Sequence, residues 1–126
     1  ILNGKLNMSV VMRSNDLWLG WPYDNFNFSM LGAYVALLMW DIYRMDLDLG
    51  VTVINAGSRH LYQSDHDKAL ECVKAGENDF YNYRPLNVKD FRNSMGTSAN
   101  NLLDHLAYCT EGWKADSDFL HEFFEI

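Results

Sequence analysis

The sequence predicts a fold that mixes strands with helices, α/β or α+β, and three observations carry that expectation. Leu6, Met8, Val10 and Met12 alternate with Asn7, Ser9, Val11 and Arg13, the period-2 pattern of a strand with one face buried. From Phe26 to Trp40 almost every residue is apolar, and a helix so hydrophobic all round must be buried. Val51 to Ala56 then reads as a second strand because it is rich in residues that favour a pleated surface.

The elements follow in order. The first strand delivers Arg13 at its end; Pro22 can open the apolar helix, and Asp24 or Asn25 can cap its first turn. Asp41 to Gly50 is a connection, after which the second strand runs into Gly57-Ser58. His60 and Tyr62 stand two apart and face the same side if the strand conformation persists. Ser64-Asp65-His66-Asp67 carries capping chemistry for a helix over Lys68 to Ala75, which Gly76 stops. Past Gly76 the signal weakens. Arg84-Pro85 breaks the chain, Ser98 to Tyr108 is amphipathic through Leu102, Leu103 and Leu106, and Asp118 to Phe124 is a further helical stretch. There is no internal repeat, low-complexity tract or obvious linker.

A length of 126 residues suits one domain and is short for a two-substrate enzyme. With 48% hydrophobic residues, 14% aromatics and only 2 prolines, the chain is globular and not disordered. The aromatic content also points to a subunit interface. A net charge of −7 opposes polymeric nucleic acid, whose binding depends on neutralising many phosphates. A single mononucleotide phosphate needs only one local basic site. Acidic residues from Asp65 to Asp67 and from Glu111 to Glu125 read as solvated faces. Cys72 and Cys109 have no close spacing, so neither a disulfide framework nor a zinc knuckle is indicated. They read as buried thiols in a reducing cytoplasm. The longest apolar stretch, Met30 to Trp40, is shorter than the roughly 18 residues that indicate a membrane span, and no signal peptide is visible.

The residues able to carry chemistry gather in two places. Arg13 can hold a phosphate through two parallel charged hydrogen bonds, and Ser14 adds a hydroxyl donor. Arg-Ser alone is a weak signal, but Asp16, Leu19-Gly20, Pro22 and Asp24 follow in close order. Trp18 and Trp21 flank the glycine turn, and core packing is the plainer reading of Trp18. A lone His60 is more often structural. Two residues before Tyr62 and just after a glycine-bearing strand, it becomes a site candidate. His66 with Asp65 and Asp67 reads as helix capping and not as a metal cluster.

These two stretches together resemble the thymidylate synthase family. Its members carry Arg-Ser-x-Asp, a Leu-Gly-x-Pro turn and an asparagine two residues after the proline, matched here by Arg13-Ser14-Asn15-Asp16, Leu19-Gly20-Trp21-Pro22 and Asp24. The family's Gly-Asp-x-His-x-Tyr strand corresponds to Gly57-Ser58-Arg59-His60-Leu61-Tyr62. The resemblance covers roughly Gly4 to Gly76. It implies a mixed sheet around a buried central helix, with residues 1–76 forming the nucleotide-binding half and residues 77–126 a divergent helical region of the same domain. Arg13 and Ser14 would hold the nucleotide phosphate, and His60 and Tyr62 the sugar hydroxyl. Asp16, Gly20 and Trp21 would lie on the side of the cofactor, 5,10-methylenetetrahydrofolate. Asp24 would face the pyrimidine, and Asp16, Asp24 and His60 would take the catalytic parts.

Asp24 departs from the family's asparagine. Uracil presents a ring N–H donor beside a carbonyl acceptor, which an amide matches; cytosine presents a ring acceptor and an exocyclic amino donor. A carboxylate accepts from that amino group and needs one shared proton to satisfy the ring nitrogen. Asp24 therefore reads as a cytosine selector, which is similar to the phage deoxycytidylate hydroxymethylases, whose substrate is dCMP; a helix cap is the plainer role for it. Such a protein would reside in the host cytoplasm. The same residues are compatible with a dUMP-using thymidylate synthase homologue, with a dCMP methylase, and with a non-catalytic nucleotide-binding or structural subunit. The family's nucleophilic cysteine lies about twenty residues before the Arg-Ser pair, whereas twelve residues precede Arg13 here and none is cysteine. The resemblance thus implies a C-terminal half, inactive by itself, working as a homodimer or beside a complementing chain that bears the cysteine.

Overall fold

A computed structural model of the chain describes residues 1–76 and 87–112. Strand β1 spans Lys5–Met12, β2 Asn15–Asp16, helix α1 Gly20–Tyr43, β3 Asp48–Ala56, β4 Arg59–His60, α2 His66–Gly76 and α3 Ser98–Gly112. Short 3₁₀ turns at Gln63–Asp65 and Val88–Phe91 precede the last two helices. The mixture of helices and strands is the α+β class that the sequence predicts. The expected helix over Asp118 to Phe124, the break at Arg84-Pro85 and the side chain of Cys109 fall outside the described residues.

In β1, Leu6, Met8, Val10 and Met12 are the half-buried positions and the residues between them are exposed. That is the alternation a one-sided strand demands. Asp48 donates its N–H to the Gly4 carbonyl and Gly57 to that of Met12, so β1 and its partner β3 run in the same direction. A second pair, β2 with β4, is also parallel. Strand β3 begins at Asp48 and not at Val51, because this pairing to β1 recruits residues that no apolar pattern marks.

Helix α1 starts at Gly20, two residues before Pro22. The proline sits in the first turn, where its missing N–H leaves no hydrogen bond broken. Neither Asp24 nor Asn25 is therefore a cap; both lie inside the helix. The burial expected all round α1 is confined to one stretch of small and aliphatic residues, Gly32, Ala33, Ala36 and Leu37. Tyr23, Phe26, Leu31, Ile42 and Tyr43 are exposed, since the other described elements cover only part of its circumference. No helix among the described residues is long and apolar enough to cross a membrane. Cys72, expected to be buried, is exposed on α2; that helix buries none of its residues.

The chain divides into two compact units. The described part of one comprises residues 1–7, 32–50 and 87–112. Its core is Ala33, Leu37, Val88, Ala99 and Leu102, flanked by Tyr34, Leu38, Leu49, Phe91 and Leu106. Asp41, near the end of α1, accepts hydrogen bonds from the backbone N–H groups of Ser98 (3.1 Å) and Ala99 (2.8 Å). It supplies acceptors that the first turn of α3 lacks. Burial alone pushes the Asp41 carboxyl up, but the bonds from Ala99 and Ser98 and the charge of Arg44 outweigh it and hold the group below its ordinary value of 3.8. Two guanidiniums lie near the Trp40 ring centroid, Arg44 at 5.6 Å and Arg92 at 5.1 Å. Arg92 also pairs with Asp46 and donates to the Leu47 carbonyl. The other unit comprises described residues 8–31 and 51–76, and every candidate site residue lies in it.

Candidate functional site

The two motifs, some forty residues apart in the chain, meet along one backbone ladder. Ser58 donates to the Arg13 carbonyl (3.2 Å), Asn15 to that of Ser58 (2.9 Å), and Leu17 to that of His60 (2.9 Å). Asn15 stands opposite Arg59 and Asp16 opposite His60. A glycine at 57 is what lets the strands close here. A Cβ on Gly57 would lie 2.9 Å from the Arg13 carbonyl oxygen, and backbone cannot yield as a flexible side chain does.

Arg13 leaves the end of β1 exposed, and Ser14 beside it is half-buried. Among the described residues neither side chain has a hydrogen-bond or ionic partner. A free guanidinium next to a free hydroxyl is the donor set that a phosphate takes. His60 is half-buried and Tyr62 exposed. Their rings meet edge to face with centroids 5.0 Å apart, so the two side chains share a side. The strand itself ends at His60, and Tyr62 keeps an extended backbone at φ −69° and ψ 145°.

Asp16 accepts the Trp18 N–H on Oδ1 at 2.9 Å, which turns the chain towards Gly20. There a Cβ would lie 3.3 Å from the Asp16 Cβ, so only a glycine fits without displacement. Trp21 is the second residue of α1, with the Arg59 guanidinium 5.2 Å from its ring centroid, a cation–π contact of about 0.5–1 kcal/mol at a partly exposed place. Asp24 is one helical turn further on and half-buried.

Two residues gain a place that no motif assigns. Arg59 occupies a variable position of the second motif, yet it stacks on Trp21. Asn15 occupies the variable position of the first; it is 2% exposed, and its side-chain Nδ2 donates to Asp24 Oδ2 at 2.6 Å. Its other N–H reaches the Met12 sulfur at 3.7 Å, a weak bond. Neither contact follows from periodicity, because each joins residues that the chain reversal at 17–20 or the β2–β4 pairing brings together. An asparagine amid aspartates looks in sequence like ordinary turn chemistry.

The arrangement can hold a phosphomonoester at Arg13 and Ser14, a hydroxyl at His60 and Tyr62, and a hydrogen-bonding ring edge at Asp24. A family model described as thymidylate synthase matches residues 1–97, well over half of the 126 residues. The match includes both motifs and continues past Gly76, where no recognisable motif remains. No solved structure matches the chain. Two motifs hydrogen-bonded into one ladder, inside a match that spans most of the sequence, place this chain in the thymidylate synthase family.

Proposed function

We propose that this chain forms the nucleotide-binding half of an enzyme that transfers a one-carbon unit to carbon 5 of dCMP, giving 5-hydroxymethyl-dCMP. Membership of the family supports the general chemistry, one-carbon transfer to a pyrimidine nucleotide, and a dimeric assembly. The observation that carries the choice of base is Asp24. It is a carboxylate inside α1 and not at a cap position, it is bonded to Asn15 of the Arg-Ser motif, and its Oδ1 has no partner among the described residues. An unpaired carboxylate oxygen accepts from the amino group of cytosine and faces the carbonyl of uracil unfavourably.

Each remaining residue has a stated part. Arg13 and Ser14 bind the phosphate and set the register of the nucleotide; His60 and Tyr62 hydrogen-bond the sugar 3′-hydroxyl; Asp24 orients the base. The cofactor side is Asp16, Gly20 and Trp21. These residues fit a folate: among the described residues Asp16 Oδ2 has no partner and can accept from pterin N–H groups, and Trp21 offers an aromatic surface beside the positive charge of Arg59. When bound, methylenetetrahydrofolate supplies the one-carbon unit, and the hydroxymethyl product takes its oxygen from water. The thiolate that adds to carbon 6 belongs, in this reading, to a complementing chain. Cys72 is an exposed residue of α2 and belongs to neither motif.

The test is release of tritium from carbon 5 of labelled dCMP and dUMP by the assembled enzyme. We expect release from dCMP in preference to dUMP, and Asp24→Asn should move the preference towards dUMP by about tenfold or more. An unchanged preference would overturn the assignment of base. No release from either nucleotide would favour a non-catalytic binding subunit.

A further inference from the structure

The side chain of Asn15 is almost wholly buried, and its amide orientation is fixed by what surrounds it. One N–H meets Asp24 Oδ2 at 2.6 Å and the other meets the Met12 sulfur at 3.7 Å. The amide oxygen, Oδ1, is buried with no hydrogen-bond partner among the described residues. Exchanging the amide's oxygen and nitrogen would set an oxygen against a carboxylate, so the donor must face Asp24. The backbone of Asn15 is held just as firmly: its N–H bonds the Ser58 carbonyl and it is registered opposite Arg59 in the β2–β4 ladder. Among the described residues the bond to Asp24 is the one strong hydrogen bond that the Asn15 amide makes, the sulfur contact being weak.

We infer that Asn15 is a positioning residue that fixes which atom of the side chain at position 24 is presented to the base. This rests on the proposal that Asp24 reads the pyrimidine. Asn15 is a donor on the inner side of position 24, so whatever stands there must turn an oxygen inward. With aspartate, the outward atom is then Oδ1, an acceptor that meets the amino group of cytosine. With an amide in its place, the inward oxygen forces the NH₂ outward, a donor that meets O4 of uracil and opposes the cytosine amino group. Asn15 thereby converts a one-residue difference into a definite base preference. Without it, an amide at this position could rotate and serve either base.

The experiment measures the ratio of equilibrium affinities for dCMP and dUMP in the assembled enzyme. Asp24→Asn alone should favour dUMP; if it does not, position 24 does not read the base, and both the functional reading and this inference fall. With that shift in hand, adding Asn15→Asp replaces the inner donor by an acceptor of the same shape. The amide introduced by Asp24→Asn must then turn its NH₂ inward and its carbonyl outward, so the ratio should return towards dCMP by about tenfold. A ratio that stays with dUMP would overturn the positioning role while leaving the choice of base intact. Should that pair fail to fold, Asn15→Ala in the Asp24→Asn background decides. The free amide should bring the ratio to within about threefold of unity, and a retained full preference for dUMP refutes the inference. A merely structural Asn15 would lower both affinities and leave the ratio unmoved.

Discussion

In the proposed function Arg13 and Asp24 act on different parts of one ligand, and their chemistry separates cleanly. A guanidinium on a phosphate carries no information about the base, whereas a carboxylate on the ring edge carries little besides. Arg13→Ala should therefore weaken dCMP and dUMP alike, by roughly ten- to a hundredfold, as expected for one charge-assisted contact; titration of both nucleotides checks it. A loss confined to one base would show that Arg13 lies elsewhere. Both residues are legible in the sequence because they sit at motif positions. Asn15 is legible there as part of the Arg-Ser-Asn-Asp string but not as a partner of Asp24, which is nine residues away across a turn.

At the scale of elements, parallel pairing of two very short strands makes the site. Residues Asn15–Asp16 and Arg59–His60 have little strand propensity of their own; the ladder forms because β1 and β3 run side by side just before them and Gly57 allows close approach. The start of β3 departs from the sequence pattern because of pairing too, its first residue Asp48 donating to the Gly4 carbonyl of the chain leading into β1. Apolar pattern marks the middle of an element, while hydrogen bonding to a neighbour decides its ends. The other unit shows the same dependence at the start of α3, where Asp41 from α1 provides the acceptors for Ser98 and Ala99. Asp41→Ala should cost about 1–2 kcal/mol, measured as a lower urea midpoint with an unchanged slope. A midpoint equal to wild type would show that water replaces the carboxylate without loss.

For the whole molecule, titration links stability to pH in a definite direction. Burial holds His105, whose ring meets Phe91 edge to face at 5.7 Å, below its ordinary value of 6.5. Below that value the unfolded chain takes up a proton that the folded chain refuses, so stability falls as pH drops from 6.5 and levels off once the folded histidine is protonated. Asp41 is also depressed, which favours the ionised form in the fold. Its contribution is complete above about pH 4 and is lost as pH falls through the lower folded value. Thermal melts across this range should show two acid-side losses, and His105→Leu should abolish the upper one. A stability that rises on acidification through 6.5 would contradict the burial argument. Large apolar residues stay exposed on the unit that carries the candidate site, among them Val11 at 84% and Tyr23 at 65%. Such surface suits the assembly that the proposed function requires.

The sequence by itself determined the family, the class of fold and the identity of the phosphate and base candidates. These depend on residue types at short, fixed spacings, and a chain of amino acids displays such spacings directly. Only the tertiary structure decided that Asp24 lies within a helix and not at its cap, that Arg59 stacks on Trp21, and that Asn15 holds Asp24. The last two are contacts between segments that the sequence separates, and they exist because backbone pairing between β2 and β4 or the turn into α1 closes the distance.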